Sequence, residues 1–450
     1  MKKVMTIAGS DSSAGAGIQA DIKTFSALGV YGTTIITTLT AQNTKTISDI
    51  LVVPPKFFKN QIVTTLEDIK PDVIKIGVLY TKSIINIVKS ILKNYRTPIV
   101  LDPVLYSGTG IKLLDEQSFE QFKRGIIPLA HVITPNLKEA EFLSKVKISN
   151  RHDMTKAALE IFKLGASNII IKGGHVTNKD TKVIDLLFTD KNLEPQQIVH
   201  ERLMIGETHG TGCNFSAAVA SFLAKGYNIG DSFKLSNSYV YEALKNSNQI
   251  GDGVLVSNPL DRMYDNSEKF KVLIELQDSV SILERMPNFF ELIPETKTNF
   301  VYSIERPKNF DDIAGVLGRV TNLGINIRTP NVIQFGTSLH VSNALLAAAK
   351  FNSLFRSAIN IRNNPRIIKI CKNNFKCSNY SRSKEREESK RVEGSSIQWG
   401  ITEAFKQEPD AELVYHDGDY GKEPMVIIFG QNPNVVLEKI RIILRDYANK

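Results

Sequence analysis

Over roughly the first 260 residues, short β-branched and apolar runs alternate with longer segments whose apolar positions recur every three or four residues. The runs are KVMTIAG (3–9), GTTIITTLTAQ (32–42), PDVIKIGVLY (71–80), TPIVLDPVLY (97–106), AHVITPN (130–136) and ASNIIIKGG (166–174). Between them lie amphipathic stretches such as GIQADIKTFSALG (17–29) and NLKEAEFLSK (136–145). Continuous Val/Ile runs suit strands buried on both faces, so the pattern predicts a parallel sheet covered by helices. The strands run out into polar or glycine-rich loops, AGSDSSAGAG, LDPV, TPN and KGGH, and in such sheets ligands bind at the carboxyl ends.

The alternation stops near Asn258-Pro259. A charged helical stretch, DRMYDNSEKFKVLIELQDSVSILERM, leads into a different rhythm. There the strands are NFVYSIE, AINIR, ELVYHDGD and PMVIIFG, and the helices SLHVSNALLAAAKF, IQWGITEAFK and NVVLEKIRIILRDYA. The pattern predicts two domains, 1–262 and 265–450, the second a smaller α/β unit. The mixed-charge run RSKEREESKRVE (382–393) predicts a solvated loop. No apolar run reaches the ~18 residues a membrane helix needs, and the N-terminus breaks into Gly-Ser-Asp before a secretory core forms.

Composition changes this picture in two places. The formal charge of +9 is moderate, but from Ile313 to Lys384 there is no Asp or Glu among eleven Lys and Arg, which places that block in a positive field. The three cysteines, Cys213, Cys371 and Cys377, are too few and too oddly spaced for a disulfide framework or zinc knuckle, and reduced cytoplasmic thiols are expected.

Gly15-Ala16-Gly17-Ile18-Gln19-Ala20 follows a strand and opens a helix, but the next strand ends Leu39-Thr40-Ala41-Gln42 without the acid that a dinucleotide ribose requires. No phosphate-loop motif occurs either. THGTGC (208–213) offers another anion pocket. Gly210, Thr211 and Gly212 can turn successive amides to one side, and the helix that starts near Cys213 adds its positive end. The same field is expected to favour the Cys213 thiolate, which could take the proton of an attacking hydroxyl. A small residue chosen for tight helix packing is the other reading of Cys213.

TIAGSDSSAGAGIQADIKTFSALGVYG, TAQNT, KIGVL, VLDPV, TPNLKEAEFL, IKGGH and THGTGC, in this order, resemble the hydroxymethylpyrimidine/phosphomethylpyrimidine kinases, members of the ribokinase-like superfamily. The resemblance implies a mostly parallel sheet with helices on both faces. It also implies transfer of phosphate from ATP to the hydroxymethyl group of an aminopyrimidine, then to its monophosphate. It makes Asp21 and Gln42 the pyrimidine holders, Lys172 a nucleotide-phosphate ligand, and Asp102 and Glu139 the acids that govern Mg²⁺. Asp21 also suits a first-turn acid, Lys172 a solvated strand-end lysine, and Asp102 and Glu139 helix caps. Superfamily relatives acting on sugars carry Asp where this chain has Cys213.

In the second part, Arg319, Arg328, Asn331 and His340 fall in or near INIRTPNVIQFGTSLHVS, Arg362 in AINIRNNP and Arg382 in SRS. Asp417, Asp419 and Lys422 cluster in YHDGDYGKEPM. Arginine forks suit phosphate oxygens, and paired carboxylates suit the Mg²⁺ of a diphosphate. The stretches TNFVYSI, FGTSLHV, AINIR, EGSSIQWG and DGDYGKEPM resemble the thiamine-phosphate synthase domain found fused to this kinase and unrelated to the TIM-barrel synthase. That resemblance implies joining the pyrimidine diphosphate to a thiazole phosphate with loss of pyrophosphate. Arg319 and His340 are then the leading catalytic candidates, with a capping role the alternative for His340. Arg328, Asn331, Arg362, Arg382 and Lys422 are the expected phosphate ligands, and Asp417 and Asp419 the metal ligands. A ligand-sensing regulatory domain is the rival reading of this half. Small-molecule substrates, a homo-oligomer and neither nucleic-acid nor membrane partners are expected.

Overall fold

The computed structural model describes residues 1–105, 114, 116–174, 181–189, 192–382, 395–419 and 422–449. Residues 383–393 of the mixed-charge run, and His175 of KGGH, lie outside the described residues. The chain divides into two compact units, Met1–Met263 and Tyr264–Lys450.

The first unit is built on a sheet of nine strands. They are β1 (Lys3–Asp11), β2 (Tyr31–Gln42), β3 (Ile47–Val52), β4 (Val73–Ile76), β5 (Ile99–Leu101), β6 (Val132–Ile133), β7 (Asn168–Ile171), β8 (Lys182–Thr189) and β9 (Asn192–Glu201), in the order β3-β2-β1-β4-β5-β6-β7-β8-β9. From β2 to β7 every neighbouring pair is parallel; β3 at one edge and β8-β9 at the other run antiparallel. The helices are α1 (Gly17–Ala27), α2 (Pro55–Asp68), α3 (Lys82–Leu92), α4 (Glu116–Gly125), α5 (Leu137–Ser144), α6 (Arg151–Phe162), α7 (Thr211–Ala224) and α8 (Ile229–Lys245).

Strand alternation sends side chains to two cores. Met5, Ile7, Ile74, Ile76, Ile99, Leu101, Ile169 and Ile171 pack under α2 to α6. Val4, Val73, Val100 and Ile170 face Phe25 of α1 and the apolar side chains of α7 and α8. Each such buried aliphatic contributes about 1.5–3 kcal/mol relative to exposure. Lys75 breaks this rule: it occupies an inward position of β4 and is wholly buried. A short parallel pair, β10 (Thr208–His209) with β11 (Leu255–Val256), leads into α7.

The second unit is also three-layered, but its sheet is mostly antiparallel. Seven strands run in the order β16-β13-β12-β17-β20-β19-β18. They are β12 (Phe300–Ser303), β13 (Ile313–Val316), β16 (Ile333–Phe335), β17 (Ser357–Arg362), β18 (Cys377–Asn379), β19 (Leu413–His416) and β20 (Met425–Gly430), with only β18–β19 parallel. A hairpin of β14 (Thr321–Leu323) and β15 (Asn326–Arg328) stands apart. Phe300 and Tyr302 face α9 (Asp261–Glu284), α11 (Pro365–Asn374) and α13 (Pro433–Ala448). Val301 faces α10 (Leu339–Ala349) and α12 (Ser395–Gln407) on the other side. Helix α11 and strands β13 to β16 and β18 were not evident in the sequence pattern, because their apolar runs are only three or four residues long or lack a clear period.

Candidate active sites

The carboxyl ends of β1, β2, β4, β5 and β7 open, with the start of α7, into a cavity of about 620 Å³. Asp11 ends β1 and organises its glycine loop. Its carboxylate accepts the amides of Ser13, Gly15 and Ala16 at 2.8–3.1 Å and the Ser13 hydroxyl at 2.7 Å. Burial works to raise its pKa, but the His209 ring, Ser13 and those amides outweigh burial and hold it low. His209 Nε2 lies 2.9 Å from Asp11 Oδ2 and 3.0 Å from Gln42 Nε2. One ring nitrogen cannot donate to Asp11 and accept from Gln42 at once, so the Gln42 amide, which lines the cavity, keeps capacity for a ligand.

Gly210 precedes α7 at φ 86°, and a Cβ there would collide with the Gly15 carbonyl oxygen, so only glycine fits. Thr211 and Gly212 form the first turn, with their amides at the positive helix end, and all three residues line the cavity. A Cβ on Gly212 would lie 3.3 Å from Lys172 Nζ and 3.7 Å from Asp102 Oδ2, which places both charges against this turn. Asp102 is paired with Lys172 at 3.4 Å and accepts the Ser216 hydroxyl at 3.1 Å. Glu139 closes a capping box with Asn136 at the start of α5 and also lines the cavity. Its cap and site readings therefore coexist. Burial, opposed by Lys172, pushes the Glu139 carboxyl up to about 7. Burial depresses Lys172, yet Asp102 and Glu139 override it and keep the ammonium charged.

Two expectations change here. Asp21 does not line the cavity. It is wholly buried on α1, with Lys75 Nζ 2.9 Å from Oδ2 and the Thr6 hydroxyl donating at 2.6 Å. Lys75, not Asp21, reaches the lining, because the strand register points it at α1 and the glycine-lined floor. The pair is tightly coupled: burial raises the Asp21 pKa against the pull of Lys75, and Asp21 keeps Lys75 protonated despite its burial. Cys213 does line the cavity, but its thiol is not depressed. Burial pushes it up to about 12, Asp21 and Asp102 add to the rise, and Lys75 and the Gly17 amide offset only part. Desolvation and two carboxylates outweigh the nearby ammonium.

In the second unit a more open cleft of about 820 Å³ is lined by Arg362, Asn363, Asp419 and Lys422, among others. Arg319, at φ 71°, donates from Nη1 to the carbonyl of Thr296, another lining residue, at 2.6 Å. His340 opens α10, and its Nε2 is buried with no hydrogen-bond partner among the described residues. Burial lowers its pKa to about 4, with Arg382, Arg319 and Lys422 adding to the fall. These four expected residues therefore share one electrostatic neighbourhood. Arg328 and Asn331 are not in the cleft lining: both are exposed, one at the end of hairpin β14–β15 and the other in the irregular segment after it. Asp417 is exposed and does not line the cleft, and no cluster of three metal-ligating side chains occurs among the described residues. Glu423 is occupied, accepting the amides of Glu295 and Thr296 at 2.7 and 2.8 Å. Within the acid-free block, Arg356 pairs with Glu268 and Lys376 with Asp410, so part of its charge is neutralised by distant segments.

Comparison with known proteins places both units. A family model described as Phosphomethylpyrimidine kinase matches residues 11–258, and one described as Thiamine-phosphate synthase ThiN matches residues 275–442. The Bifunctional thiamine biosynthesis protein ThiDN of Methanocaldococcus jannaschii is 32% identical over 449 residues, 99% of each chain. The chain belongs to this bifunctional family. Its first part is also 41% identical to the hydroxymethylpyrimidine/phosphomethylpyrimidine kinase of Bacillus subtilis, over 56% of this chain and 92% of that one. The solved pyridoxal kinase of Staphylococcus aureus in complex with AMP-PCP and pyridoxal superposes with a TM-score of 0.53 at 35% identity, covering 58% of this chain and 93% of that one. The ribokinase-like sheet is therefore shared. The bifunctional reading holds over that of a kinase with a sensing domain.

Sequence reasoning missed three residues that line the first unit's cavity. Asp11 and His209 stood inside quoted motifs without a role, since only the fold brings the end of β1 against β10. Lys75 did carry a signal: a lysine in the middle of the apolar run VIKIG, where a charge needs a buried partner.

Proposed function

We propose that residues 1–262 phosphorylate 4-amino-5-hydroxymethyl-2-methylpyrimidine and then its monophosphate, using ATP, and that residues 265–450 couple the diphosphate to thiazole phosphate. One observation carries the kinase reading: the open amides of Gly210 to Gly212 share a cavity with Lys172, Lys75, Gln42 and Cys213. The amides and Lys172 would hold the phosphates during transfer, and Gln42 would pair the aminopyrimidine edge. Lys75 would face the reacting hydroxyl, with Asp21 acting on it from behind. Cys213 would accept the proton as its minor thiolate form. The carboxylates of Asp102 and Glu139 fit Mg²⁺, a hard cation that keeps several waters and needs few protein oxygens. When bound, the ion would neutralise phosphate charge. In the synthase unit Asp419 alone of the two expected acids meets the cleft, so a metal there would be held chiefly by the diphosphate. Three free cysteines suit a cytoplasmic setting.

The test mixes the protein with Mg-ATP, the hydroxymethylpyrimidine and thiazole phosphate, and measures thiamine phosphate by mass. Product is expected from the native chain. Arg319→Ala should stop at the pyrimidine diphosphate, with thiamine phosphate falling at least about a hundredfold and kinase turnover unchanged. Thiamine phosphate formed at the native rate by Arg319→Ala would remove that residue from the synthase site.

A further inference from the structure

His416 ends β19 and is 2% exposed. Its Nδ1 accepts the Gly418 amide at 3.1 Å and faces the Arg382 Nε–H at 3.4 Å. Both are donors, so Nδ1 carries no proton and the proton of the neutral ring sits on Nε2. That Nε2–H is buried and has no hydrogen-bond partner among the described residues. Buried N–H groups are almost always paired, and leaving one unpaired is unfavourable unless something else accepts its hydrogen.

His416 is held on two sides. Its backbone carbonyl accepts the side-chain amide of Asn363 at 2.8 Å, and the Tyr380 ring packs against the imidazole with centroids 5.1 Å apart. Asn363 and Lys422 line the cleft. His340, Arg382 and Lys422 are the titratable and charged groups that act on this ring, and His340 also has a buried, unpartnered Nε2. Two imidazole nitrogens without partners, set among cations, make a cradle for a polyanion rather than for a cation or an apolar group.

We propose that His416 is a binding residue of the second site, donating its Nε2–H to an oxygen of a diphosphate group whose other oxygens meet His340, Arg382 and Lys422. This rests on the synthase reading but adds a residue to it and commits the cradle to the diphosphate rather than to the phosphate of the second substrate.

The test uses full-length protein labelled with ¹⁵N in its histidine rings, titrated with inorganic pyrophosphate and, separately, with inorganic phosphate. The His416 Nε2–H signal is assigned by its loss in His416→Asn. It should shift saturably with pyrophosphate, at concentrations at least about tenfold below those at which phosphate acts. Asn keeps an acceptor near Nδ1 but has no donor at Nε2, so His416→Asn should weaken pyrophosphate binding about tenfold, read on the His340 ring. Glutamine places an N–H near Nε2, and His416→Gln should recover most of the loss. A His416 signal unmoved by pyrophosphate, tighter binding of phosphate, or native affinity in His416→Asn would each overturn the proposal. The native-chain measurement decides even if a variant folds poorly. Failure to make thiamine phosphate with this response intact would instead sink the synthase reading.

Discussion

At Cys213 and Lys75 single side chains would decide the proposed chemistry. A thiol held near 12 is almost entirely protonated at neutral pH, so if the thiolate takes the hydroxyl proton, kinase turnover should climb with pH from 7 to 9 with no plateau. Cys213→Asp should shift that rising limb to lower pH; an identical profile in both would show that neither group is the base. The Lys75–Asp21 pair is fully buried, and breaking one side strands the other charge. Lys75→Met should therefore cost about 3–5 kcal/mol in denaturant unfolding of the first unit. The double variant Lys75→Met/Asp21→Asn should regain most of that stability yet stay inactive as a kinase. Recovery of activity together with stability would make the pair purely structural. The family resemblance marked Asp21 as a ligand by its position in the motif, and motif position does not say which way α1 turns the side chain.

Element by element, the proposed kinase site is a meeting of strand ends with the first turn of α7. Gly210 makes that turn possible, since its φ of 86° and its closeness to the Gly15 carbonyl exclude a side chain. Gly210→Ala should cost at least about 1 kcal/mol in stability from the left-handed conformation alone. The collision with the loop at Gly15 should also raise the KM for ATP more than it lowers the melting temperature would suggest. Native ATP kinetics in that variant would detach the turn from nucleotide binding. This turn was legible from Gly-Thr-Gly before an apolar helix pattern, as were β1, β4 and β7 from their Val/Ile runs. Strands β13, β16 and β18 were not, because strands of three or four residues held by long-range pairing leave no local period.

For the molecule as a whole, the two units should respond to acid differently. His340 and His416 have folded-state pKa values lowered to about 4 and about 3, below the ordinary value of 6.5. Between pH 6.5 and about 4 the unfolded chain binds protons at these positions that the folded chain refuses, so stability rises with pH and is lost on acidification. Each histidine adds a slope of up to about 1.4 kcal/mol per pH unit in that window. Trp399 is the single tryptophan and sits on α12, so its fluorescence follows the second unit selectively. The midpoint it reports should fall as pH drops from 6.5 to 4. The double variant His340→Gln/His416→Gln should flatten the dependence; an unchanged slope would trace the acid sensitivity to other groups.

The sequence alone determined what local chemistry and periodicity can encode: a parallel α/β unit, a change of architecture near residue 260, a glycine turn at a helix start and an acid-free cationic block. Tertiary structure decided what depends on side-chain direction and burial across distant segments. It turned Asp21 inward onto Lys75, kept the Cys213 proton on sulfur and set His209 between Asp11 and Gln42. It also left Arg328, Asn331 and Asp417 outside the cleft lining while setting His340 and His416 in one cationic field. The physical reason is that burial always penalises a charge while neighbouring charges and hydrogen bonds can offset or override that penalty, and the packing that sets the balance is written nowhere in the residue's own stretch of chain.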